Sequence, residues 1–161
     1  MSNVQSMLAI GAMIILSFIS LSFNSAVLNT STIDFQNKVS LTAISLADNM
    51  LEEIKSKSFD QATLQFPTNN LASLTPPSSL GPEAGEVYPN FNDVDDYNGF
   101  IDTVAAPYFE TYYLSCKVEY VSGNSPDVVS SVQTFDKRVT VTVTSPYLKN
   151  NISIAEIFTL R

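Results

Sequence analysis

The stretch MLAIGAMIILSFISLSF, residues 7–23, decides how the rest of the chain is read. It carries no charge, and the first charged side chain of the sequence is Asp34. A run of this kind matches the about 20 apolar residues that cross about 30 Å of hydrocarbon. Its interruptions are Gly11, Ser17, Ser20 and Ser22, which a membrane helix accommodates, and Gly11 and Ser17 would let a second helix come close. A cleaved signal peptide is the competing reading. It asks for a basic leader and a shorter apolar core. Residues 1–5, MSNVQ, hold neither Lys nor Arg, so the segment is expected to remain as an anchor. Neither flank carries a basic cluster, so charge does not orient the helix.

Downstream, helix breakers are scarce. No proline occurs from Met1 to Phe66, and Gly11 is the only glycine there. Apolar or small residues at Phe35, Val39, Ala43, Leu46, Met50 and Ile54 recur in steps of four and three, which defines one helix face. Leu41, Ile44, Ala47 and Leu51 are expected to widen it, with Asp48, Glu52 and Lys55 on the other side. The Asn, Ser and Thr residues of Asn24–Thr32 lower helix propensity, so either one continuous helix or two separate ones fits. The chain is divided accordingly into a transmembrane segment (1–33), an amphipathic extension (34–58) and a loop and sheet domain (59–161).

The third part holds twelve acidic and five basic residues, within a net charge of -8 for the 161-residue chain. Such a surface repels phosphate backbones and excludes nucleic acid as a partner. There is no histidine, and the single Cys116 cannot form an intrachain disulfide. From Asp60 to Pro107 lie six of the eight prolines together with Gly81, Gly85 and Gly99. That composition predicts a long, mostly irregular connection with a short helix or strand near Val87–Phe91, of the sort that covers or binds something.

Strand patterns follow. In Tyr108–Val121, Tyr112, Leu114, Cys116, Val118 and Tyr120 alternate with polar residues. Gly123, Asn124 and Pro126 then mark a turn. Arg138–Thr144 alternates Val139, Val141 and Val143 with threonines, and Ile152–Leu160 closes the chain. Glu156 falls on the apolar face of that last segment and predicts a bulge or a wet edge. The fold class is α+β: a long N-terminal membrane-spanning helix packed, through its stripe, on a C-terminal antiparallel sheet of at least three strands.

Candidate chemistry is sparse. Cys116 shares the phase of Leu114 and Val118, as a buried thiol does, and no convergent catalytic set accompanies it, so no enzymatic activity and no cofactor are expected. One acidic cluster stands out, DVDDYNG at residues 93–99. Asp93, Asp95, Asp96 and Asn98 offer oxygens in the manner of the start of a calcium loop. The glycine comes one place late, and the twelfth position from Asp93 is Val104, which has no side-chain oxygen. A capped turn with Gly99 at positive φ fits the same residues. Both readings, calcium site and turn, stand at this point.

Three stretches together resemble the type IV pilin-like proteins, especially minor pilins and the pseudopilins of type II secretion. Residues 43–59, AISLADNMLEEIKSKSF, look like the end of the long pilin helix; Asp93–Gly99 resembles the acidic turn of the variable loop; and residues 137–146, KRVTVTVTSP, are similar to the central strand. With the apolar helix, the likeness covers most of the chain apart from residues 60–92. The resemblance implies a pilin-like fold and a subunit of a pilus-like filament or secretion pseudopilus. Its partners would be other pilin-like subunits and the inner-membrane assembly machinery, with lipid around the helix before assembly. It implies a single pass through the inner membrane, an extracytoplasmic C-terminal domain and a place in an extracellular filament at the cell surface. The chain departs from the family at its start. Family members carry a basic leader, a glycine cleavage site and a glutamate at the fifth mature position, whereas Gly11 is followed by no acid and position 5 is Gln5. Leader processing and the pairing of that acid with a neighbour's amine are left open by the resemblance at this point, and Gln5, Gly11 and Ser17 are the assembly candidates. The alternative is a membrane-anchored extracytoplasmic binding module that acts as a monomer through its long loop.

Overall fold

The computed structural model describes residues 2–106 and 110–160. Helix α1 runs from Asn3 to Lys55 as one element. The polar stretch 24–32 stays helical, and its hydroxyls turn back onto the helix. Thr30, Ser31 and Thr32 donate to the carbonyls of Ala26, Val27 and Leu28, each at 3.0 Å. Ser17 does the same to Met13 at 2.8 Å. Back-bonding of this kind satisfies a hydroxyl without water.

The chain divides into two compact units, Met1–Lys38 and Val39–Arg161. In the first, the described side chains are exposed throughout, with only Gly11 half-buried. In the second, α1 buries Val39, Ala43, Ala47, Met50, Leu51 and Ile54. Leu41 and Ile44, expected to widen the stripe, are instead 63% and 37% exposed. Each residue turns the helix by about 100°, so position 41 lies on the side opposite Val39.

Five antiparallel strands form the sheet: β1 (Ile101–Ala106), β2 (Glu110–Ser122), β3 (Ser125–Val129), β4 (Asp136–Thr144) and β5 (Ile152–Thr159). Their order is β1-β2-β4-β5, and β3 pairs with the end of β2. Two strands thus exceed the three read from sequence. β1 lies inside the segment expected to be irregular, and β3 replaces part of a predicted turn. β3 tolerates Pro126 because its pairing is confined to Val121↔Val129 and Ser122↔Ser125. Val87–Phe91 holds a turn, closed by Asn90 N–H to the Val87 carbonyl at 2.9 Å, rather than a helix or strand. Pro107 and Tyr108, expected to end the loop and open the following strand, lie outside the described residues.

The alternation read in β2 and β4 sets the core. Leu114, Cys116 and Val118 stand opposite Val143, Val141 and Val139. All six are buried in one cluster with Val39, Ala43, Ala47, Met50, Leu51 and Ile54 of α1. The helix stripe therefore covers the valine face of the sheet. The β4–β5 register is unbroken from Asp136↔Thr159 to Val143↔Ile152, so Glu156 causes no bulge. It sits on the outermost strand, half-exposed, and pairs with Lys55 at 3.0 Å.

Candidate functional site

Lys137 occupies the same phase of β4 as Val139, Val141 and Val143, which carries its ammonium to the inner face of the sheet. It is fully buried. Its Nζ donates to Asp60 Oδ2 at 2.8 Å, to Asp95 Oδ1 at 2.7 Å and to the Phe59 carbonyl at 2.8 Å. Those three bonds use all three ammonium donors. The same nitrogen lies 4.5 Å from the Phe59 ring centroid and 5.2 Å from that of Tyr120.

Each partner of Lys137 is itself held. Asp60 caps a short 3-10 turn (Gln61–Thr63) through a reciprocal box with Thr63. Asp60 also accepts from Thr75 N–H at 3.0 Å and from the Tyr120 hydroxyl at 3.1 Å. Burial pushes the Asp60 carboxyl up, but the hydrogen bond and charge of Lys137, with the Ala62 and Thr75 amides, bring it below its ordinary value. The Asp95 turn is stitched to the chain just after α1, with Val94 N–H donating to the Ser58 carbonyl at 2.9 Å and Lys57 Nζ to the Phe91 carbonyl at 2.8 Å. Tyr97 donates to Glu53 of the helix at 2.7 Å.

The acidic cluster has the geometry of a capped turn. Asp93 Oδ1 accepts from the N–H groups of Asp95 at 2.9 Å and Asp96 at 3.4 Å. Asp96 Oδ2 accepts in return from Asn92 N–H at 2.8 Å and Asp93 N–H at 3.2 Å. Gly99 takes φ +79°. Asn98 is spent on structure: its Oδ1 accepts from Val118 N–H and its Nδ2 donates to the Leu80 carbonyl, both at 3.0 Å. Of the four candidate ligands, Asp95 thus serves Lys137, Asn98 joins β2 to the Leu80 segment, and Asp93 caps the turn.

Further acids approach from a part of the chain that the spacing argument did not reach. One oxygen from each of Glu83, Glu86 and Asp96 lies within 4.8 Å of the others. Burial pushes Glu83 up to about 7, assisted by its hydrogen bond with Glu86 and by the charges of Asp96 and Glu86. Burial also pushes Asp93 up to about 9, assisted by Asp95 and Asp96 and opposed by Lys137. The cues to this region were the phase of Lys137 and the two glutamates flanking Gly85; only the first is visible as a periodicity.

The remaining candidates lie elsewhere. Burial pushes the Cys116 thiol up to about 12, which leaves it without thiolate character at neutral pH. Gln5 completes a cap at the start of α1: Ser2 N–H donates to its Oε1 at 3.1 Å, and its own N–H donates to Ser2 Oγ at 3.4 Å. A Cβ added at Gly11 would meet nothing within 4 Å, so this glycine leaves open surface rather than relieving a contact within the chain. Ser17 lines a shallow apolar groove on the helix with Ile10, Met13, Ile14, Phe18 and Leu21. α1 is long and apolar enough to cross a membrane. Compared with protein-family models, with curated proteins and with solved structures, the chain gives no match.

Proposed function

We propose that the chain is a structural subunit of a type IV pilus-like filament or secretion pseudopilus, without catalytic chemistry of its own. Residues 4–33 hold it in the inner membrane before assembly, and the C-terminal domain stands outside the cytoplasm. One observation carries this reading: a single helix changes along its length from wholly exposed apolar side chains to a stripe buried under a sheet. The exposed portion suits lipid first and the helices of neighbouring subunits afterwards. Exchanging one apolar surrounding for another has little hydrophobic cost, and Gly11 and Ser17 permit close approach. Leu41 and Ile44 add apolar surface on the free side of the helix, beyond the segment assigned to the membrane. The inner-membrane assembly machinery and other pilin-like subunits are the partners.

The test is to shear surface filaments from cells and probe them for this chain, alongside a deletion strain. Recovery of the chain in the filament fraction, with filaments lost on deletion, supports the subunit. Confinement to the inner membrane as a monomer, with filaments intact on deletion, overturns it and leaves an anchored binding module.

A further inference from the structure

We propose that Glu83, Glu86 and Asp96 bind a hard divalent cation, calcium, which clips the 83–86 segment to the acidic turn. The inference stands apart from the filament role and would hold equally for a monomeric anchored protein. It also departs from the ligand set read from spacing, with which it shares only Asp96.

Three observations converge on it. The three carboxylates bring one oxygen each within 4.8 Å of one another. Asp96 is fully buried, and its Oδ1 has no hydrogen-bond partner while its Oδ2 is fixed by two backbone N–H groups. Asn92 Oδ1 is likewise buried without a partner, beside Glu86, whose Oε1 accepts from the Asn92 amide. A buried carboxylate oxygen with nothing to accept from is costly, and native structures give nearly all such atoms a partner. The neighbouring ammonium groups do not supply one. Lys137 is saturated by Phe59, Asp60 and Asp95, and Lys57 donates to the Phe91 carbonyl.

The donor set selects the ion. It holds oxygen alone, with no imidazole or thiolate, which disfavours zinc and suits calcium or magnesium. Calcium takes 6–8 oxygens in adaptable geometry, and carboxylates can bind it with both oxygens. Two half-buried glutamates, Asp96 and water can meet that number. Magnesium demands a stricter octahedron and gives up its water reluctantly. The segment gained by such a clip is otherwise tied by its own Glu86 N–H to Glu83 carbonyl turn, by Glu83 N–H to the Glu86 carboxylate at 3.4 Å and by the Glu86–Asn92 side-chain bond.

The experiment uses the full chain in detergent micelles, stripped with chelator. Thermal melting is followed with calcium chloride at about 10 mM, with magnesium chloride, and with sodium chloride at matched ionic strength. At an affinity of order 0.3 mM, within the range of extracellular modules, calcium should raise Tm by about 4–8 °C. Magnesium should do less and sodium should leave Tm nearly unchanged. Glu83→Gln and Glu86→Gln keep side-chain shape, and neither residue caps the turn, so both variants should fold and melt normally in chelator. Each should lose most of the calcium shift. A wild-type shift no larger with calcium than with sodium overturns the proposal, as does a calcium shift that both variants retain.

Discussion

Residues 4–33 expose Leu, Ile, Met and Phe side chains along a helix, whereas the domain beyond residue 38 buries Asp60, Asp93, Asp95, Asp96 and Lys137. Both reverse the usual partition of side chains between surface and interior. The two reversals differ in kind. Each buried charge at Lys137 finds its counterpart within the chain, at 2.7–2.8 Å. The exposed apolar residues of the helix have no counterpart among the described residues of their unit. The network at Lys137 therefore meets its charges inside the chain, while the apolar surface of a helix long and apolar enough to cross a membrane is left open.

The largest effect expected from breaking this contrast is at the network. Lys137→Met leaves Asp60 and Asp95 buried without their cation, and such a loss costs about 3–5 kcal/mol. Chemical denaturation of the full chain in detergent would measure it. Adding Asp60→Asn and Asp95→Asn should recover part of the loss, because the uncompensated charges go with them. Somewhat smaller is a charge placed in the helix. Ile14→Lys puts an ammonium near the middle of the apolar span at about 2.5–3.5 kcal/mol. It should lower the share of the chain recovered in the membrane fraction while the melting of the domain stays unchanged.

The pH dependence sharpens the contrast further, since residues 4–33 hold no ionisable side chain. Asp93 is held at about 9 in the folded state, against about 3.9 in an unfolded chain. Between those values the folded form keeps a proton that the unfolded form has lost, so stability falls as pH rises. Glu83, at about 7, acts in the same direction over a narrower window. Asp60, lowered by Lys137, acts oppositely: its contribution is present above about pH 4 and lost as pH falls through its folded value. With chelator present, Tm should therefore fall as pH rises toward about 9, and Asp93→Asn should flatten that decline. Smallest of all, Ser31→Ala or Thr32→Ala should change helicity and stability by no more than about 0.5 kcal/mol, because those hydroxyls bond only to their own helix.

Much of this architecture is legible in the sequence because periodicity is a local signal. Of the stripe Phe35, Val39, Ala43, Leu46, Met50 and Ile54, all but the exposed Phe35 reach the observed core, and the alternating Val139, Val141 and Val143 lie in it. The misses are tertiary. Leu41 and Ile44 are apolar but lie outside the arc the sheet covers. β1 reads as IDTVAA, with Asp102 on the same side as Val104, and its pairing with β2 rather than its own pattern makes it a strand. The same holds at the candidate site. The turn at Asp93–Gly99 was legible from its Asp, Asn and Gly residues. The approach of Glu83 and Glu86 depends on where a proline-rich segment folds back, and no spacing encodes that. Lys137 stood in plain alternation with three valines, and its phase alone places it inside.

The measurement that bears most directly on the unfinished helix surface is oxidative crosslinking in cells of variants carrying cysteine pairs along residues 7–23. The native Cys116 is buried and does not compete. If other subunits' helices cover this surface, pairs such as Ile10→Cys with Phe18→Cys should give regular ladders of dimers, trimers and higher species, and the ladders should fade when Gly11 is replaced by Phe. A chain that remains a monomer with every pair tested, while still sedimenting with the inner membrane, would contradict the account and leave lipid as the only cover of the helix.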